Sequence, residues 1–208
     1  MPPKASAVGE GTDLRQHLID AAERLIARRG TAGLTVREIA REARVATGAL
    51  YNHVADKEEL LALALRAHVR AVAAGLGPVP GPAGTGSVAG HLHDFVARAV
   101  ALHAAILPAF AGMLPQPGVL ARFTALSAPP DGDTWLRGQI ADYLRAEQRL
   151  GRIASHARVD AAAAMITGAC HDLVLPHLFG GAHTGPVEPP PRFATDLVST
   201  VLEGIGLR

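Results

Sequence analysis

Cysteine is almost missing from this sequence. Cys170 stands alone among 208 residues, so no disulfide can form within the chain, and a reducing, cytoplasmic setting is expected. Aromatic residues are scarce as well, at 4% against 49% hydrophobic residues overall. A core must then be filled mainly by Ala, Leu and Val, a mixture that favours helix, because strands draw on β-branched and aromatic side chains. No unbroken run of about eighteen apolar residues occurs, so no membrane span is expected. The opening MPPKASAVGEGTD lacks the apolar centre of a signal peptide. Net charge is only +1, which selects no partner by itself.

Enzyme signatures are missing too. There is no nucleophile elbow, no paired-carboxylate helix motif and no phosphate loop; Gly84, Gly86 and Gly90 have the wrong spacing and follow no strand. His171 and Asp172 are neighbours on a helix, where adjacent side chains diverge, so they make no dyad. The chain is read as a non-enzyme that needs no cofactor.

What is present is helical punctuation. Residues 1–12 are expected to form a disordered arm. Asp13 with Gln16 reads as a capping box ahead of Leu14, Leu18, Ala21, Ala22 and Leu25, which recur at helical spacing up to a stop at Gly30. Thr35 with Glu38 opens a second, short helix with Ile39, Ala40 and Ala43 on its inner face. A third covers about 46–53, and Asp56 with Glu59 opens a fourth that runs to about 74. Domain boundaries follow: a compact trio over 13–56, a connecting helix over 57–74, and a larger part over 75–208. The stretch GLGPVPGPAGTGSVAG reads as a flexible connection. Further helices are predicted at about 88–107, 117–127, 133–150, 157–179 and 191–206, with prolines such as Pro108 and Pro115 between them. The fold class is all-α.

The third helix carries the chemistry. In ATGALYNHVADK, Thr47, Gly48, Tyr51 and Asn52 share one face, while Leu50 and Val54 lie opposite and can meet Ile39 and Ala43. A short helix braced from behind with a polar face outward is the layout of a helix-turn-helix, whose second helix enters the DNA major groove. Gly48 would let backbone approach a phosphate or base closely. Tyr51, His53 and Lys57 can donate to phosphates. Between Arg24 and Val54 six arginines face Glu38 and Glu42, a local excess of four positive charges. That excess suits either a polyanion or a solvated surface, and Lys57 can serve a phosphate or pair with Glu38 or Glu42.

TVREIAREARVATGALYNHVADKEELL, with LRQHLIDAAERLIARRG before it, resembles the DNA-binding segment of the TetR family of bacterial repressors over about residues 13–65. The resemblance implies that Arg37 and Thr47 face bases, and that Thr47, Gly48, Tyr51, His53 and Lys57 fix the sugar–phosphate frame, with Asn52 beside them. Three positions depart from the family: Arg44 where glycine is usual, Ala46 where serine is frequent, and Val54 in place of phenylalanine. An arginine in a left-handed turn costs about 1–2 kcal/mol, so either a looser turn is expected at Arg44 or a side chain that reaches a phosphate.

The resemblance further implies a helical C-terminal half that holds a small molecule and dimerises through its last two helices. Expected dimer residues are Val159, Ala163, Ile166, Cys170 and Leu173 of one small-residue stripe, and Leu197 and Val201 of the next. Expected ligand residues are His103, Phe110, Met113, Phe123, Trp135, Tyr143 and His171, which combine apolar walls with polar tips. The predicted function is a ligand-responsive regulator, a repressor, binding double-stranded operator DNA as a homodimer and released by an unidentified, mostly apolar effector. The alternatives are a metal-responsive regulator, drawn from HLHDF and CHDLVLPH, and a helical small-molecule binder without operator function. No histidine pair has the four-residue helical spacing of a zinc site, and no metal ligand is assigned.

Overall fold

The computed structural model describes residues 7–77, 81–126, 136–178 and 187–205, with side chains from Leu14 to Glu203. The described residues are helical throughout, without strands. In order the helices are α1 (Ala7–Arg29), α2 (Val36–Glu42), α3 (Thr47–Leu50), α4 (Lys57–Gly75), α5 (Val88–Ala111), α6 (Pro117–Leu126), α7 (Leu136–Arg149), α8 (Val159–Leu178) and α9 (Phe193–Ile205).

Two compact units divide the chain. The first comprises residues up to Val72 together with the stretch from Pro108 through α6. The second comprises Ala73 to Leu107 and the chain from α7 onward. The first unit thus takes in more than the helical trio, because the end of α5 and all of α6 join it.

In the first unit α1 buries Leu18, Ala21, Ala22, Leu25 and Ile26, and α4 buries Leu60, Leu61, Ala64 and Leu65. α1 begins at Ala7, earlier than the expected Asp13 cap. Gln16 spends its amide on Asp20, one turn further on, at 2.7 Å. Gly30 closes α1 with φ 72, its N–H bonded to the Ile26 carbonyl, as a left-handed stop requires.

α5 passes through Pro108 instead of stopping there. Proline removes one helical N–H, and the last carbonyls of any helix need outside donors. Thr31, fully buried, supplies one: its hydroxyl donates to the Ala109 carbonyl at 2.5 Å.

In the second unit Leu92, Phe95, Val96, Ala99, Ile140, Leu144, Ala163, Ile166, Val198 and Val201 belong to one core. By length and composition α5 could cross a membrane. Its apolarity is accounted for by that core, into which Leu92, Phe95, Val96 and Ala99 are buried. Glu147 is fully buried and receives the Gly84 amide at 3.2 Å, with Arg152 Nε 3.4 Å away.

Candidate nucleic-acid interface

α2 starts as its sequence dictates. The Thr35 hydroxyl caps the Glu38 amide and the Glu38 carboxylate takes the Thr35 N–H at 2.9 Å, a complete capping box. The hydrogen bond from the Thr35 hydroxyl, then the Thr35 amide and Arg29, hold the Glu38 carboxyl down at about 2. α4 starts in a related way with one shift: Asp56 caps the Glu59 amide at 2.9 Å, but the Glu59 carboxylate reaches back to Ala55 N–H at 2.6 Å, not to Asp56.

α2 ends in a Schellman motif. Ala43 is the C-cap, Arg44 N–H bonds the Arg41 carbonyl at 3.1 Å, and Val45 N–H bonds the Ala40 carbonyl at 2.9 Å. Arg44 occupies the glycine position of this motif with φ 56. The expected looser turn is therefore not what forms. The two cap bonds are both made, and the left-handed backbone is kept at a cost of about 1–2 kcal/mol. His17 Nε2 donates to the Ala43 carbonyl at 2.9 Å, tying α1 to this end of α2.

α3 is a single turn, Thr47–Leu50, followed by turn residues 51–53, so it is shorter than the expected 46–53. Ala46 at the N-cap offers no side-chain acceptor, which leaves the opening turn less secured than serine would. Bracing comes from packing: Leu50 is fully buried and Val54, Ile39 and Ala43 nearly so. In front of them Thr47, Gly48 and Asn52 are exposed, Tyr51 is 56% exposed, and His53 and Lys57 are half-buried. A Cβ placed on Gly48 meets nothing within 4 Å, so the fold itself does not require glycine there.

Charge pairing divides the arginines into two sets. Arg24 and Arg28 bind Glu42 at 3.3 and 2.7 Å, and Arg29 binds Glu38 at 2.8 Å. The Arg28 hydrogen bond is the main reason the Glu42 carboxyl lies below its ordinary range. Arg15 pairs with Glu59, and Arg122 of α6 is bidentate on Asp56 at 2.9 and 2.7 Å. The other set, Arg37, Arg41 and Arg44, is exposed and forms no ion pair among the described residues, and neither does Lys57. Glu38 and Glu42 are held by α1, which removes them as partners for Lys57. Arg41 and Arg44 stand four and seven residues after Arg37.

Of the expected ligand residues, His103, Tyr143 and His171 belong to the second unit and Phe110, Met113 and Phe123 to the first. His103 and His171 meet, Nε2 to Nε2 at 2.8 Å, with burial as the main cause lowering both, His103 to about 4. Tyr143 belongs to the core, where its hydroxyl lies 3.0 Å from His91 Nδ1 and its ring 5.5 Å from Phe95. Phe110 and Phe123 form an edge-to-face pair at 5.3 Å in the first unit, where Met113 is fully buried. Trp135 lies outside the described residues. An open cleft of about 430 Å³ in the first unit is lined by Arg15, Glu59, Ala62, Leu63, Arg122, Ala125 and Leu126, none of them expected. Among the described residues no three His, Cys, Asp or Glu side chains are grouped to hold a metal.

The expected dimer residues lie on the core side of their helices. Val159, Ala163, Ile166, Cys170 and Val201 are buried inside their own unit, and Leu173 and Leu197 pack against the same core. The outward face of α8 is instead Ala161, Ala164, Met165, Gly168 and Leu175, with Met165 55% exposed.

Known proteins share both the head and the architecture. Residues 18–64 match the bacterial regulatory proteins of the tetR family. The HTH-type transcriptional regulator AcrR of Shigella flexneri is 41% identical over 51 residues, 24% of each chain, so the match spans about a quarter of that relative's length. A putative TetR-family regulator from Mesorhizobium loti matches 95% of this chain and 98% of its own with TM-score 0.69 at 18% identity. The flavonoid-responsive regulator FrrA matches 95% and 99% with TM-score 0.65 at 17% identity. At such identities the solved structures speak for the fold.

Proposed function

We propose, from the match of residues 18–64 to the bacterial regulatory proteins of the tetR family, that this chain is a member of that family and a one-component transcriptional repressor acting in the cytoplasm. It reads a partly palindromic operator as a homodimer and lets go when a small, mostly apolar effector binds. One observation carries the reading: among the described residues Arg37, Thr47, Tyr51, Asn52, His53 and Lys57 have no side-chain hydrogen bond or ion pair, on a helix-turn-helix where Arg24, Arg28 and Arg29 are paired with Glu38 and Glu42. Arg37 and Thr47 read base edges, Gly48 admits the backbone, and Tyr51, His53 and Lys57 hold phosphates.

Dimerisation is supported by the outward face of α8. Apolar residues on both sides of one helix call for a cover on both sides. Ala161, Ala164 and Gly168 are small enough to let helices of a second copy come close. Two heads would then enter major grooves about 34–36 Å apart. The effector is supported by FrrA, which shares the fold and is flavonoid-responsive. It acts by preferring a dimer whose heads are wrongly spaced, which takes several kcal/mol of differential affinity to empty a filled operator. α4 contributes residues to both units and is the proposed lever.

The test is selection of duplexes from a randomised pool by the purified chain. A partly palindromic motif is expected. Tyr51→Phe and Lys57→Ala should weaken binding to all sequences and flatten its salt dependence, while Arg37→Ala should change the selected motif. Failure of the wild-type chain to retain any duplex sinks the reading.

A further inference from the structure

α2 has three distinct faces. Ile39, Ala40 and Ala43 are buried, Glu38 and Glu42 are held by arginines of α1, and the third face carries Arg37 and Arg41, continued past the helix end by Arg44. Arg44 is the anomaly. Its backbone lies in the left-handed region, φ 56, which glycine occupies freely and side-chain-bearing residues do not. The cap bonds it closes are backbone bonds that glycine would make as well. Its side chain is exposed and contributes no hydrogen bond or ion pair to the fold among the described residues. A disfavoured conformation kept for a side chain the fold does not use points to a use outside the fold.

We propose that Arg44 is a DNA phosphate contact, which with Arg41 extends the interface from α3 back along α2. The proposal rests on the regulator reading. In a helix-turn-helix the first helix crosses the sugar–phosphate backbone while the second lies in the groove, so a cation on the turn between them is placed at the strand's edge. A guanidinium suits this, since its planar fork engages phosphate oxygens with two parallel hydrogen bonds. Phosphate contacts carry no sequence information, so Arg44 adds affinity equally on every sequence.

The experiment compares wild type, Arg44→Gly and Arg44→Lys on a mixed-sequence duplex spanning two half-sites, by fluorescence anisotropy across a potassium chloride series, with thermal melts of each protein alone. Arg44→Gly should bind about tenfold more weakly, and its slope of log affinity against log salt should be shallower by about 0.9 per head. Its Tm should be unchanged or higher by up to about 4 °C, since glycine relieves the turn. Arg44→Lys should keep the wild-type slope. If Arg44→Gly binds with wild-type slope and affinity, the Arg44 assignment fails while the regulator reading stands. If its Tm falls together with binding, the loss belongs to folding and the assignment fails. If wild type binds no duplex, the regulator reading itself fails.

Discussion

Thr31 and Ala109, 78 residues apart in sequence, are joined by a buried hydrogen bond of 2.5 Å from the threonine hydroxyl to the alanine carbonyl. The contact fastens the turn after α1 to the end of α5, and it is close enough to exclude a methyl group. A Cβ on Gly112 would meet the Thr31 hydroxyl and lie 2.5 Å from the Ala32 backbone nitrogen.

Gly112→Ala should therefore destabilise the first unit by about 1–3 kcal/mol, because backbone has to give way. Gly118→Ala makes the control. Its Cβ would lie 2.5 Å from Glu58 Oε2, but that carboxylate is the far end of a flexible, exposed side chain and can turn aside. Denaturant midpoints should fall for the first substitution and barely move for the second. Equal effects would contradict the distinction.

Gly48→Ala separates folding from binding. The site has open space for the added methyl, and alanine is the better helix former by about 1 kcal/mol. Stability should hold or rise. Affinity for operator DNA should fall, since the methyl would stand between α3 and the strand. A loss of stability in thermal melts would show that glycine at this position serves the fold.

Met165→Glu should convert a dimer to monomers without unfolding them. Met165 is 55% exposed on α8 and outside its own unit's core, so the charge is harmless in a monomer and unpaired at an interface. Ile166→Glu, one residue on, should unfold the second unit, because Ile166 is fully buried. Sedimentation velocity with far-ultraviolet circular dichroism distinguishes the outcomes. A Met165→Glu chain that stays dimeric removes α8 from the interface.

Acid should weaken the second unit through His103. Burial first, then the charge of His171, lower its pKa from 6.5 to about 4. Between those values the unfolded chain takes up a proton that the folded chain refuses, so this contribution to stability falls as pH drops from 6.5 toward 4 and is flat above 6.5. His103→Gln should flatten the slope of unfolding free energy against pH across that window. Parallel curves for the two proteins would exclude His103 as the cause.

Local signals were the legible ones. Thr35 and Glu38 declare a capping box in four letters, and Gly30 declares a stop, because both depend on backbone groups within one turn. The two faces around α3 were legible for the same reason: Leu50 and Val54 buried against Thr47, Gly48 and Tyr51 exposed is a pattern within eight residues. Arg44 misled, since its local preference argues against the turn it makes, and only the surrounding bonds overrule it. α8 was ambiguous for a different reason. With apolar residues all round, its sequence contains two candidate stripes, and choosing which one faces its own core needs the positions of α5 and α7. The Thr31–Ala109 bond had no signal, for neither residue's neighbours hint at a partner so distant.

The pairing of Arg24, Arg28 and Arg29 with Glu38 and Glu42 leaves one further mark on the molecule. Cations cancelled along one flank of the head and left bare along another make it an electric dipole. In the field of a long polyanion a torque acts on such a body before any atoms touch. The head would arrive at its target already turned the right way, and dissolved salt would slow that arrival by dulling the turn.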